Sequence, residues 1–148
     1  VTNSLPILNL LADNHETELV FLGGFIMPRA GVALGPYAED MLRSLHVNIV
    51  IMGTGGVTME GLFNNHPMIV DVQRTMMRSA DRVIIAADYT KFGKKSLTKL
   101  CDLHEIDQLV TDSKVDPSWI DRVKIAGVDV MVIPEQPLEE NQSEALMD

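Results

Sequence analysis

The feature that most narrows the fold of this chain is a set of short runs that are apolar on both faces. "NIVIMG" (Asn48–Gly53) and "RVIIAAD" (Arg82–Asp88) carry consecutive aliphatic side chains with no polar alternation. A strand with one wet face alternates apolar and polar residues; a strand covered on both sides does not. "LVFLGG" (Leu19–Gly24), "QLVTD" (Gln108–Asp112) and "DVMVI" (Asp129–Ile133) complete the expected strands. Between them lie stretches that read as helices: Leu5–Asn14, Tyr37–Leu45, Met68–Ala80, Leu97–Leu103 and Pro117–Ala126. In the third, Ile69, Val72, Met76 and Ala80 share one face. Asp116-Pro117 supplies a cap and a first-turn proline, and Gly127 supplies a stop. Strand and helix alternate, so the fold class is α/β with a mainly parallel sheet.

Such sheets bind ligands beyond the carboxyl ends of their strands. Three of these ends carry unusual residues. Thr2-Asn3-Ser4 enters a helix with side-chain oxygens, one amide and free backbone N–H groups. It suits an anion, or it is an ordinary N-cap closed by Asn3 or Ser4. "GTGG" places Gly53, Gly55 and Gly56 where backbone can approach a ligand closely. It is neither the Walker pattern nor the dinucleotide fingerprint. The connection runs on to Pro67 as a long loop, and long loops in compact domains are commonly functional. "ADYTKFG" places Asp88 and Lys91 after the third strand. A lysine there suits a phosphate oxygen, and Asp88 can orient it or accept sugar hydroxyls; a surface salt bridge is the plain alternative. Together these ends suggest a small, anionic, polyhydroxylated ligand.

Charge argues against other classes. The chain of 148 residues has a net charge of -9. A duplex is gripped by basic patches that displace counterions, so this segment does not hold DNA by itself. Glu135, Glu139, Glu140, Glu144 and Asp148 make residues 135–148 an acidic tail expected to be flexible, leaving 1–134 as the folded domain. The single cysteine, Cys101, falls in an expected helix and reads as a small buried side chain; it also points to a reducing compartment. No run is long and apolar enough for a bilayer, and no signal peptide is visible, so a cytoplasmic location is expected. His15, His46, His66 and His104 lack ligand spacing, so no metal is expected. No nucleophile elbow is present. No cofactor and no catalytic residue are assigned. The nine methionines read as core or subunit contacts. Val1 reads as the last residue of a strand, which implies that something precedes it.

"VTNSLPILNLLA", "VFLGG", "GVTMEGL", "ADYTKFG" and "LHEIDQLVTD" occur in an order that resembles the effector-binding domain of DeoR-type bacterial transcriptional regulators. The resemblance covers roughly Val1 to Ile133. It implies a Rossmann-like sheet with helices on both faces, similar to ribose-phosphate isomerases and CoA transferases. It also implies a sensor for a phosphorylated sugar or related metabolite, usually relieving repression by an N-terminal helix-turn-helix domain. Operator DNA would be reached only through that domain, in a homodimer or homotetramer. Carried over by motif, Asn3 and Ser4 line the pocket, Gly53, Gly55 and Gly56 form a ligand-facing loop, and Asp88 with Lys91 contacts phosphate or hydroxyls. The loop Gly53–Pro67 is expected to order around the effector. The family's Asp-x-Gly-Thr-Thr phosphate loop and the helix-turn-helix are not in this sequence, so the domain is expected to be incomplete at its N-terminus. A sugar-phosphate isomerase is the alternative of the same fold. It needs a carboxylate beside the substrate carbonyl, and only Glu60 follows the middle strand.

Overall fold

A computed structural model describes residues 1–134. The acidic stretch 135–148 lies outside the described residues.

The first helix, α1 (Leu5–Leu11), is capped by Ser4. A short antiparallel hairpin follows, β1 (Phe25–Met27) with β2 (Val32–Leu34). Next come α2 (Pro36–Arg43) and β3 (Val47–Gly53). A second hairpin, β4 (Gly56–Thr58) with β5 (Gly61–Asn64), leads into α3 (Pro67–Arg78). The chain continues as β6 (Ala80–Ala86), β7 (Thr98–Cys101), β8 (Gln108–Asp112), α4 (Pro117–Ile125) and β9 (Asp129–Ile133).

The central sheet has the order β3-β6-β8-β9 and every pairing in it is parallel. This is the α/β, Rossmann-like architecture, with α3 and α4 as its connecting helices. Val83, Ile85 and Leu109 of the sheet pack with Val70 of α3 and Val123 of α4 in one buried cluster. Side chains of opposite parity face the other way; there Ile49, Ile51, Met131 and Ile133 stand exposed, Ile51 to 69%. A second buried cluster joins Leu22, Leu34, Ala38 and Leu42 to Val72, so α3 is covered on two sides. Ser79 closes its end by donating from Oγ to the Leu42 carbonyl at 2.9 Å.

Several local expectations are corrected. Leu97–Leu103 is not a helix. Leu97, Leu100, Cys101 and Leu103 have helical spacing, but Thr98–Cys101 pairs with β5 in a three-stranded sheet, order β4-β5-β7. Tertiary pairing overrides local spacing. Cys101 is buried as expected, but on a strand. Leu19–Gly24 is not a strand of the main sheet; its one bridge joins Phe21 to Thr2. The stretch after Gly53 is not a long loop, because β4 and β5 fold most of it. His66 caps α3, its Nδ1 accepting from the Met68 N–H at 3.3 Å. Among the described residues, no cluster of three His, Cys, Asp or Glu could hold a metal, and no helix is long and apolar enough to cross a membrane.

Candidate functional site

A cavity of about 520 Å³ opens beside β3. It has two characters. Along the strand it is apolar, lined by Leu42, Leu45, Val47, Ile49, Ile51 and Met76. At the carboxyl end of β3 it is polar, lined by Thr2, Asn3, Ser4, Thr54, Asn64 and Gln73. Among the described residues, no Asp, Glu, Lys or Arg lines it. It can take hydroxyls and apolar surface; charge has to be met at its rim.

The Thr-Asn-Ser segment is placed by backbone pairing. The Thr2 N–H donates to the Val20 carbonyl at 2.9 Å, and the Leu22 N–H donates to the Thr2 carbonyl at 2.8 Å. Asn3 reaches across to β2, where its Nδ2 donates to the Ala33 carbonyl at 3.0 Å. Ser4 Oγ accepts from the Ile7 N–H at 3.4 Å, which is the N-cap geometry. Both residues line the cavity while serving these structural bonds.

The glycines are split. Gly53 and Gly55 line the cavity; Gly56 does not. The Gly55 N–H donates to the Phe63 carbonyl at 2.9 Å. The Gly56 N–H donates to Thr54 Oγ1 at 3.4 Å. These donors are therefore spent inside the turn. What demands glycine is close packing: a Cβ at Gly56 would sit 2.1 Å from the Lys94 carbonyl oxygen. Buried Thr54 fastens the same turn, with Oγ1 lying 3.1 and 2.9 Å from the carbonyl oxygens of Gly56 and Phe63. Because the hairpin is already built, no unfolded loop remains there to order around a ligand.

Asp88 and Lys91 also stand outside the lining. They follow β6, whose Ala86 pairs with Gly53, so they share the carboxyl edge of the sheet with the polar end of the cavity. Asp88 Oδ1 accepts from the Thr90 hydroxyl and, at 2.8 Å, from the Thr90 N–H. The Thr90 hydroxyl, then the Thr90 N–H and the Lys91 ammonium, hold the Asp88 carboxyl below its usual range. Lys91 Nζ lies 3.8 Å from Asp88 Oδ2; the Asp88 side chain is half exposed and that of Lys91 is partly buried. Lys91 is thus a tethered cation with its outer side in water. Asp112 fixes this turn from the next strand, accepting from the Tyr89 N–H at 2.7 Å.

Glu60 sits in the turn between β4 and β5, away from the cavity, with Lys95 Nζ 2.5 Å from its carboxylate. That ammonium holds the Glu60 carboxyl low. A proton-moving base needs the opposite environment.

Sequence reasoning missed Thr54, Asn64, Gln73 and Asp112. Gln73 left one signal: a polar residue between Ile69 and Met76 on the apolar stripe of α3. Asn64 left none beyond the polar pair in "FNNHP".

Comparison with known proteins adds an independent line. A family model described as the DeoR C terminal sensor domain matches residues 1–113. The HTH-type transcriptional repressor GlcR of Bacillus subtilis (strain 168) is 30% identical over 132 residues, covering 89% of this chain and 51% of that protein. The HTH-type transcriptional regulator GlpR of Haloferax volcanii is 29% identical over 132 residues, covering 88% and 51%. The L-fucose operon activator of Haemophilus influenzae is 28% identical over 113 residues, covering 76% and 45%. The chain spans about half the length of the curated relatives it matches.

Proposed function

This chain belongs to the DeoR C-terminal sensor domain family, and from that premise we propose that it binds a phosphorylated sugar, without turnover, to control a transcriptional regulator of carbohydrate metabolism. The observation that carries the ligand class is the division of labour at the carboxyl edge of the sheet. An uncharged, hydroxyl-bonding cavity end lies on the same edge as the Asp88–Lys91 turn. The carbohydrate part enters the cavity, and its phosphate stays at the rim, where Lys91 exchanges Asp88 for the dianion. An ammonium suits this role as a mobile point charge. Asn3, Ser4, Gly53 and Gly55 contact the carbohydrate, and Gly56 supports the turn behind them.

A transcriptional role through operator DNA belongs to a helix-turn-helix region outside this domain, working in the cytoplasm as a dimer or tetramer. The ligand shifts the regulator only through different affinity for its two states. Both a repressor and an activator occur among the relatives, so the domain supplies sensing and the rest of the regulator supplies the sign. The same family resemblance and the position of Glu60 favour sensing over isomerisation.

Lys91→Ala tests the assignment. It is expected to weaken sugar phosphates while leaving the unphosphorylated parents nearly unchanged, measured by isothermal titration calorimetry. Equal loss for both would remove Lys91 from the phosphate role.

A further inference from the structure

Gln73 is a polar side chain on the buried side of α3, only 9% exposed. Its Nε2 donates to the Gly53 carbonyl at 2.8 Å, and its Oε1 accepts from Asn64 Nδ2 at 2.9 Å. Asn64 Oδ1 in turn accepts from the Asn65 N–H at 3.1 Å. Two primary amides are thus coupled head to tail at the polar end of the cavity, and both line it.

Burying an amide is costly unless it is bonded, and Gln73 meets that cost through the Gly53 carbonyl and the Asn64 amide. The pair also keeps capacity in reserve. A primary amide carries two N–H donors and two acceptor lone pairs. Among the bonds of the described residues, each nitrogen uses one donor and each oxygen accepts once. Each amide therefore keeps a further donor and a further acceptor, and both residues line the same cavity. Vicinal hydroxyls, each both donor and acceptor, match such a surface. A phosphate, which only accepts, does not.

We propose that Asn64 and Gln73 form the hydroxyl-reading pair of this sensor and set its preference among sugars, while Lys91 meets the phosphate. This rests on the sugar-phosphate reading above. Gln73 is central because it bonds Gly53 at the end of β3 while lying on α3. A ligand hydroxyl taken up by the pair is felt at once by the strand end and the helix.

The test is calorimetric titration of the full-length protein with pentose and hexose monophosphates, their deoxy analogues and inorganic phosphate. Asn64→Ala and Gln73→Leu are compared with wild type. Wild type is expected to bind one sugar phosphate and to lose affinity for the analogue lacking a contacted hydroxyl. Each variant is expected to bind the parent about tenfold more weakly, as for the loss of one or two hydrogen bonds, and to stop distinguishing it from that analogue. Affinity for inorganic phosphate stays at the wild-type value. Asn64→Ala, being partly exposed, keeps the test open if Gln73→Leu folds poorly. Discrimination by wild type that both variants retain overturns this inference alone, as does an equal loss for inorganic phosphate. No binding of any probe by wild type overturns the sugar-phosphate reading with it.

Discussion

Asp112, at the carboxyl end of β8, accepts a hydrogen bond from the backbone N–H of Tyr89 at 2.7 Å, and so ties its strand to the turn that carries Lys91. Its other oxygen accepts from the Lys114 N–H at 2.9 Å. One carboxylate thus sets two strand-end turns at once. Asp112→Ala should cost about 1–2 kcal/mol, the low end for bonds to an ionised acceptor at a solvated site. It should also weaken phosphate binding, because the Lys91 turn loses its anchor. Urea unfolding and calorimetry check the two effects separately.

The two glycines flanking Thr54 and Gly55 should behave oppositely. A Cβ at Gly56 meets the Lys94 carbonyl oxygen at 2.1 Å, so Gly56→Ala is expected to destabilise by about 2 kcal/mol or more. A Cβ at Gly53 meets nothing nearer than the Ala86 oxygen at 3.9 Å, so Gly53→Ala should leave the unfolding midpoint almost unchanged. Any effect of Gly53→Ala should appear in ligand affinity. Chemical denaturation of the two variants side by side decides it.

The main sheet was legible because its strands are apolar on both faces. Gln108–Asp112 and Asp129–Ile133 fall where the sequence placed them, and the cap at Asp116 holds α4 as expected, accepting from the Ser118 N–H at 2.8 Å. The small antiparallel sheet was not legible. Its strands have three or four residues each, too short to show a period, and Thr98–Cys101 is a strand only because β5 lies beside it. The cavity was legible by halves. Asn3, Ser4, Gly53 and Gly55 are found around it, whereas Gly56, Asp88 and Lys91 are not. Strand-end position is visible in a sequence; which N–H donors a turn consumes internally is not. Gln73 and Asn64 meet only through the packing of α3 on β5.

Acid should unfold the domain partly through its capping carboxylates. The Ser118 backbone N–H, then its hydroxyl, hold the Asp116 carboxyl below 3.8; Thr90 and Lys91 do the same for Asp88. A carboxyl depressed in the folded state adds stability above its unfolded value, and this is lost as pH falls through the folded one. Stability should therefore be flat from neutral pH down to about 5 and decline below roughly 4. Asp116→Asn should lie below wild type at pH 7 and converge with it at the acid end, as read by thermal unfolding across pH.

Cys101 should be inert in the folded protein. Burial, reinforced by the carboxylates of Glu105 and Asp102, pushes its thiol up to about 12. The reactive thiolate is then scarce at pH 8. A disulfide reagent should label Cys101 more than tenfold faster in urea than in buffer. Equal rates would place the thiol at the surface and contradict the packing of β7.

The central claim is that this domain binds a phosphorylated sugar and leaves it unchanged. The most direct measurement is a thermal shift screen of the full-length protein against sugar phosphates and their unphosphorylated parents, with each mixture then analysed for conversion. One phosphorylated compound should raise the melting temperature, by on the order of 10 °C at a hundredfold excess over its dissociation constant. Its parent should do little, and the compound should be recovered intact. A shift from none of them, or conversion of aldose to ketose phosphate, would contradict the account.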